Sequence, residues 1–481
     1  MDMRVGNLVG ARDASTVRGV TQQSRRRWLA ACAALLAMSW ASTAGAVCYV
    51  NKAATGANTG ASWTDAYTDL QSALTNTNCS EVWVAQGPYT PDASNTTVSF
   101  NIGRNVALYG GFSGVETSRD ARNPVAHVTT LSGVMSGGYS QHIVVMNGTV
   151  AGSPITASTT LDGFTLRGGY NTNGGGALWC RGNGAGHECS PTLANLVFLN
   201  NHAGNGGAIE LDGYSGGASN PTLTNITFSS NSATTFGGAI YCNGQASGGV
   251  CSPTLTNVTF SGNTSATYGG AMVNDGSGGG TSSPTLTNVT FSGNSAVNGG
   301  AMFNNGGGGT SSPKLVNATF SGNSASYGGA IYNSTSTING GTSNTLVLNS
   351  ILWSDSATTS GPEFYSNATG ETSLYYSIVQ GGCTASCGGT PIYTGDPLLG
   401  ALADNGGYTQ TLMPGVGSAA IDKVPCNYSS EEPVTDQRGA VRPDPASSGP
   451  TRCDIGAVEA NSLPGDLIFA NRFGSSQWDD F

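Results

Sequence analysis

A unit of about 30 residues returns five times between Ser190 and Ser343, and a fixed period in this range means stacked supersecondary units, not a compact globule. Each copy opens on a Pro-Thr-Leu-like triplet, at Pro191, Pro221, Pro253, Pro284 and Pro313, with starts 30, 32, 31 and 29 residues apart. Each then carries Phe-x-x-Asn (Phe198/Asn201, Phe228/Asn231, Phe260/Asn263, Phe291/Asn294, Phe320/Asn323). Each closes on Gly-Gly-Ala-Ile or Gly-Gly-Ala-Met, with first glycines at Gly206, Gly237, Gly269, Gly299 and Gly328. Glycine makes up 72 of 481 residues and charged residues only 10%, a composition that could suit a flexible linker. A linker does not hold Leu and Phe at fixed offsets from Asn and Gly, so the chain is read as one elongated body.

The first 46 residues read as a signal peptide. Ser24-Arg25-Arg26-Arg27 precedes an apolar run from Trp28 to Trp40, too short to span a bilayer, and Ala44-Gly45-Ala46 gives a cleavage site before Val47. Ser24–Leu29 also resembles a twin-arginine signal, the alternative to the general secretory route. This leader holds six Arg and two Asp, so of 18 Lys+Arg and 28 Asp+Glu the rest of the chain keeps 12 and 26. Such a surface argues against nucleic acid and anionic lipid as partners. No later apolar run is long enough for a transmembrane segment.

Ten cysteines follow the leader, an even number that in an exported chain points to disulfides. Cys180/Cys189 and Cys242/Cys251 share one spacing and one register, each pair just ahead of a Ser-Pro-Thr-Leu start. The same loop is therefore expected to be stapled twice. Pairing neighbours in sequence adds Cys48–Cys79, Cys383–Cys387 and Cys426–Cys453. The rival reading, a metal site, has only four histidines in the chain to draw on.

Between the leader and the repeats, Trp63, Tyr67, Leu70 and Leu74 fall on one helical face within the Pro- and Gly-free stretch Ala61–Asn78, which predicts a short capping helix. Strands are predicted at Val82–Val84, Val106–Tyr109, His142–Met146 and Thr160–Leu166. Gly163 aligns with Asn195, Asn225, Asn257, Asn288 and Asn317. Gly and Asn both tolerate positive φ, so this column is predicted to be a left-handed turn stacked as a ladder. The Leu column (Leu161, Leu193, Leu223, Leu255, Leu286, Leu315) and the Phe column should stack inside. Gly/Ser-rich loops such as Asn274–Thr281 should project from one edge. The pattern degrades after Ser343, where Leu352-x-x-Asp355 replaces Phe-x-x-Asn, and composition changes near 396.

The Phe-x-x-Asn and Gly-Gly-Ala-Ile units resemble those of polymorphic outer-membrane proteins. Leu402–Gly407, Ala420–Asp422, Thr435–Gly439 and Cys453–Glu459 resemble a choice-of-anchor Q domain. The front, from Tyr49–Asn51 through Leu108–Phe112, is similar to the same bacterial surface proteins. The resemblance implies an all-β, single-stranded right-handed parallel β-helix at the cell surface or in the medium. The organisation expected is a signal peptide at 1–46, a β-helix of about ten coils with its N-terminal cap at 47–395, a choice-of-anchor Q-like module at 396–460 and a short sorting tail at 461–481, coils rising ~4.8 Å each. The polymorphic proteins end in a membrane β-barrel, whereas here no long alternating strands follow residue 396. The tail Gly465–Phe473 instead resembles a short sorting signal.

The function expected is adhesin-like and non-enzymatic, with an extracellular glycan or a host or neighbouring cell surface as partner and no cofactor. A polysaccharide lyase or hydrolase is the alternative, and a structural surface spacer a further one. Between Ser190 and Ser343 the only charged residues are Glu210, Asp212, Asp275 and Lys314, so no acid–base cluster is expected across adjacent coils there. Arg119, Asp120 and Arg122 are the catalytic candidates, against the plainer reading of ion pairs in a solvated loop. Asp422, Asp436 and Asp454, with Arg438, Arg442 and Glu459, form either a Ca²⁺ site or an ion-paired structural cap.

Overall fold

The computed structural model describes residues 46–150, 152–383, 387–426, 433–442 and 452–460. The leader up to Gly45 and the expected tail at 461–481 lie outside the described residues.

The eight-residue strands Thr222–Ser229, Thr254–Ser261, Thr285–Ser292 and Lys314–Ser321 pair parallel and in register, one per repeat. Simple alternation cannot bring Leu223, Ile226 and Phe228 to one side, because an odd step separates the first two. Asn225 lies between them at φ 57°, and its left-handed turn resets the alternation, so all three side chains are buried. The same turn recurs at Gly163 (φ 82°), Asn195 (51°), Asn257 (56°), Asn288 (55°), Asn317 (54°) and Asn349 (48°). Its amides form a ladder, with Asn225 Nδ2 donating to Asn195 Oδ1 at 3.1 Å and Asn257, Asn288, Asn317 and Asn349 repeating the bond.

Inside, Leu161, Leu193, Leu223, Leu255, Leu286 and Leu315 lie rung over rung. Phe198, Phe228, Phe260, Phe291 and Phe320 stack with centroids 4.6–4.9 Å apart and planes within 10°. Ile226, Val258, Val289 and Ala318 make a further inner column that the sequence reading did not single out. Each large apolar side chain buried this way contributes about 1.5–3 kcal/mol.

The corner glycines serve two separate needs. Gly237 has φ 63°, a conformation that L side chains rarely adopt. A Cβ on Gly238 would stand 2.1 Å from the Gly270 carbonyl oxygen one coil on. Past the corner lies a nine-stranded sheet, running from Phe100–Ile102 to Phe364–Ser366. Short strands such as His202–Asn205 and Ser232–Phe236 form the third side of the coil. The whole is a right-handed parallel β-helix of about eleven turns with almost no helix.

The short capping helix predicted around Trp63 to Leu74 forms only at Leu70–Thr75. Upstream the backbone is already committed: Tyr67 bridges Val50, and Asn51 N donates to Tyr67 O at 2.8 Å. Trp63 packs edge-on against Tyr49, and its Nε1 donates to Glu116 O at 2.8 Å. Asp69 caps the short helix by accepting Ser72 N, while Leu70, Ala73 and Leu74 are buried at the first end of the core.

The cysteine sulfurs are joined as Cys48–Cys79, Cys180–Cys189, Cys242–Cys251, Cys383–Cys387 and Cys426–Cys453. The two equal-register pairs both have Cα atoms 5.6 Å apart, and all four of their side chains are fully buried.

After the last parallel rung at Ile392–Tyr393 the chain turns back. It makes the antiparallel pairs Leu399–Ala403 with Thr411–Pro414 and Val424–Pro425 with Arg452–Cys453. This return segment lies on the outer face of the long sheet. Gln437 Nε2 donates to Thr259 Oγ1 at 2.7 Å, and its Oε1 accepts from Thr290 Oγ1 at 2.7 Å. Ala457 N donates to Thr319 Oγ1 at 3.0 Å, and Gly456 N to Asn349 O at 2.9 Å. The outward threonines Thr259, Thr290 and Thr319 are therefore buried.

Candidate functional site

The sequence candidates Arg119, Asp120 and Arg122 do not converge. Asp120 has 93% of its side chain exposed and stands 3.8 Å from Arg119 Nε. Arg122 instead joins two coils: Nη2 pairs with Asp162 Oδ2 at 2.7 Å and Nη1 donates to Gly110 O at 3.0 Å. Both guanidiniums lie over the Tyr109 ring, at 4.9 and 5.2 Å. The arrangement clamps one loop to the β-helix.

The C-terminal acids are engaged by main-chain amides and arginines. Asp436 Oδ1 accepts Arg438 N (2.8 Å) and Ala440 N (2.9 Å), while its Oδ2 accepts Glu459 N (2.9 Å) and pairs with Arg438 Nη2 (2.8 Å). Asp454 accepts Asp422 N at 2.8 Å and Ala460 N at 2.6 Å. Arg442 Nη1 pairs with Glu459 Oε2 at 3.0 Å. Among the described residues no cluster of three or more His, Cys, Asp or Glu is placed to hold a metal ion.

The nine-stranded sheet carries a constellation that the sequence reading did not expect. Its outward column runs Trp179, Glu210, Tyr241, Val273, Phe303 and Tyr332 in register, so an acid stands between Trp179 and Tyr241. Aromatic residues from the third side, such as Phe236 and Tyr268, pack onto it at 5.2 Å from Tyr241 and 4.7 Å from Phe303. Gly174 of the preceding coil faces Glu210, and a Cβ there would stand 1.6 Å from Glu210 Oε2.

Asp212 is two residues further along the same strand, in register with Arg181 one coil earlier. The Arg181 guanidinium stacks 4.5 Å over the Trp179 ring. Charged groups thus do meet across adjacent coils, because two residues that look isolated in sequence share a face with a partner one coil away. Burial, reinforced by Asp212, pushes the Glu210 carboxyl up to about 8. Burial also raises Asp212, against the opposing pull of its Tyr214 main-chain bond and Arg181. Chemically this is a carboxyl raised by burial beside a second carboxyl, set among packed aromatic rings and not within an open cleft.

A hollow of about 490 Å³ does open on the loop edge. Its walls are Asn305, Gly307, the loop Ser334–Ile338, Asn367 and Ala368. The lining offers hydroxyls, amides and main chain without a charged group, and Ile338 at its rim is 91% exposed. The expectation that loops project needs one adjustment. Asn274 and Asp275 belong to the buried strand Met272–Asp275, so projection begins beyond them.

The signal for Glu210 was present in the repeats: Ile209-Glu210-Leu211-Asp212 stands where the next units have Ile240-Tyr241-Cys242-Asn243 and Met272-Val273-Asn274-Asp275. The hollow had no such signal, because its walls come from loops of unequal length.

The Chlamydia polymorphic membrane protein repeat matches residues 195–211, 225–243 and 317–334. Each matched stretch runs from the left-handed Asn turn through the Phe-x-x-Asn and Gly-Gly-Ala motifs. No curated protein matches the chain. Among solved structures, the chain is similar to the catalytic unit of a thermostable GH87 alpha-1,3-glucanase from Streptomyces thermodiastaticus strain HF3-3, with 15% identity and a TM-score of 0.26. That match covers 65% of this chain and 62% of the glucanase chain.

Proposed function

We propose that this protein is an adhesin-like β-helix at the cell surface or in the medium, and that it binds neutral glycan without turning it over. The observation that carries the reading is the uncharged hollow walled by Ser334–Ile338 and Asn367. Hydroxyl and amide groups beside one exposed aliphatic side chain suit sugar hydroxyls and a sugar's apolar face. The polymorphic membrane protein repeats support a surface location, together with residues 1–46 as an export signal. In the same reading residues 396–460 are a choice-of-anchor Q-like module and 461–481 a sorting tail.

The test is a glycan array with product analysis on the purified protein, repeated with Thr337→Ala/Ile338→Asp. The expected result is glycan retention that falls at least tenfold in the variant, with an unchanged melting temperature. No turnover is expected of pectin, polygalacturonate, alginate or hyaluronan, with or without Ca²⁺. Retention that the variant leaves intact removes the hollow from the reading, and no retention at all favours a structural spacer.

A second reading, a carbohydrate-active enzyme, is favoured by the Glu210 carboxyl, raised by burial, two residues from Asp212 on the same strand. Glycoside cleavage uses a pair of carboxyls, one neutral and one ionised. Released sugar that disappears in Glu210→Gln would move the assignment there.

A further inference from the structure

Within the coil, each Phe-x-x-Asn side chain from Asn231 onward follows one rule. Its oxygen accepts both the main-chain N–H and the amide of the preceding rung, as Asn263 Oδ1 does from Asn231 N and Nδ2, each at 3.0 Å. Its amide donates to a phenylalanine carbonyl and to the next rung. The series passes through Asn294 and Asn323 and ends on a different residue, Asp355. Asp355 Oδ1 accepts Asn323 N at 2.7 Å and Asn323 Nδ2 at 2.8 Å.

In that same coil the corner sequence Gly-Gly-Ala becomes Gly361-Pro362-Glu363. Ile331 N donates to Glu363 O as Met302 N does to Ala330 O, so Glu363 occupies the position of the corner alanine. The Glu363 and Asp355 carboxyls interact electrostatically, and Asp355 Oδ2 and Glu363 Oε2 are both buried without a hydrogen-bond donor among the described residues. Glu363 replaces the rung that a further asparagine would have supplied. The two side chains are 6% and 5% exposed.

Two carboxylates in contact and out of water cannot both stay ionised without a counter-charge. None is nearby in sequence: residues 315–422 contain no Lys, Arg or His. The neighbouring strands Ser324–Tyr327, Ile331–Ser334 and Ile351–Trp353 bring only the phenols of Tyr327 and Tyr332 as titratable groups. Tyr332 lies in the outward column, and Tyr327 packs 5.2 Å from Tyr365 in the same column.

We infer that Asp355 and Glu363 share one proton, that this proton completes the interior ladder, and that its loss at alkaline pH loosens the coil holding Ser356–Ser366. Burial raises both carboxyls. The sign follows from linkage. A carboxyl raised by folding stabilises fully below its unfolded value, and that contribution is lost as pH rises through the folded value. Outside acid conditions the coil therefore holds only while the shared proton stays.

The test is hydrogen exchange of the full chain at pH 5, 7 and 9, each rate normalised to intrinsic exchange. Protection over 356–366 should fall at least tenfold from pH 5 to pH 9, while residues 254–261 keep theirs. The double variant Asp355→Asn/Glu363→Gln should show no such fall. Equal protection of the wild type at pH 5 and 9 overturns the inference, as does a fall that persists in the double variant. Protection at pH 9 that added Ca²⁺ restores assigns the pair to a cation and overturns it too. Should the double variant not fold, the single Glu363→Gln keeps both hydrogen-bonding atoms. The infrared carbonyl band of a protonated acid, measured at pH 7, should be weaker in it than in the wild type, and an unchanged band refutes the shared proton.

Discussion

The two asparagine ladders look alike in sequence and should differ sharply in energy. Asn263 is wholly buried and makes four side-chain bonds: two accepted from Asn231, one donated to Phe228 O and one to Asn294 Oδ1, each at 3.0 Å. Asn263→Ala strands the Asn231 main-chain N–H and takes the amide donor from Phe228 O. At about 1–3 kcal/mol per buried group left unmade, the expected loss is about 3–5 kcal/mol. Asn225, in the outer turn, is only partly buried and donates one bond of 3.1 Å to Asn195 while accepting one of 3.2 Å from Asn257. Its larger contribution is conformational, from φ 57°. Asn225→Ala should cost about 2 kcal/mol and Asn225→Gly under about 1 kcal/mol, since glycine adopts the turn freely. Because stacked units open locally, the assay is urea unfolding combined with segment-resolved hydrogen exchange. If Asn263→Ala costs no more than Asn225→Gly, the interior ladder is not what holds the rungs, and the reasoning fails.

Phe260→Ala should lose about 3–5 kcal/mol, and Phe260→Leu about 1–2 kcal/mol, because the same column already holds leucine at Leu166 and Leu352; chemical denaturation measures both. Glu210 is raised to about 8, so its contribution is complete below the unfolded carboxylate value and is lost as pH rises to about 8. Melting temperatures at pH 5, 7 and 9 should therefore drop less with pH in Glu210→Gln than in the wild type. Gln437→Ala unties Thr259 and Thr290 from the return segment and should cost about 2–4 kcal/mol, read as faster protease cleavage of the return segment with the repeats still intact.

What was legible in the sequence is what repeats. The Leu and Phe columns, the left-handed Asn turns and the corner glycines each return at one offset, so register followed from spacing alone. The capping helix begins later than the expected start near Trp63, because an apolar period says nothing about Tyr67 being taken as a strand partner by Val50. Glu210 and the pair Asp355–Glu363 depart from their columns, and a lone acid reads as a solvated side chain until its neighbours one coil away are known. The hollow and the return segment depend on contacts between loops and segments far apart in sequence, which no local pattern encodes.

The return segment changes how such a stack comes apart. Rungs that touch only their neighbours unzip from an end, one small step at a time. Here Gln437 reaches Val258, 179 residues away, and Asp454 receives Asn349, 105 residues away. One strap thus spans the rungs between them, and none of these can peel without first lifting it. These contacts have the highest contact order in the β-helix, so they close late in folding, after the rungs have stacked. A late contact slows unfolding more than it speeds folding. The strap thus contributes mainly to lifetime, making a rod that opens rarely out of one that would otherwise fray continuously from its end.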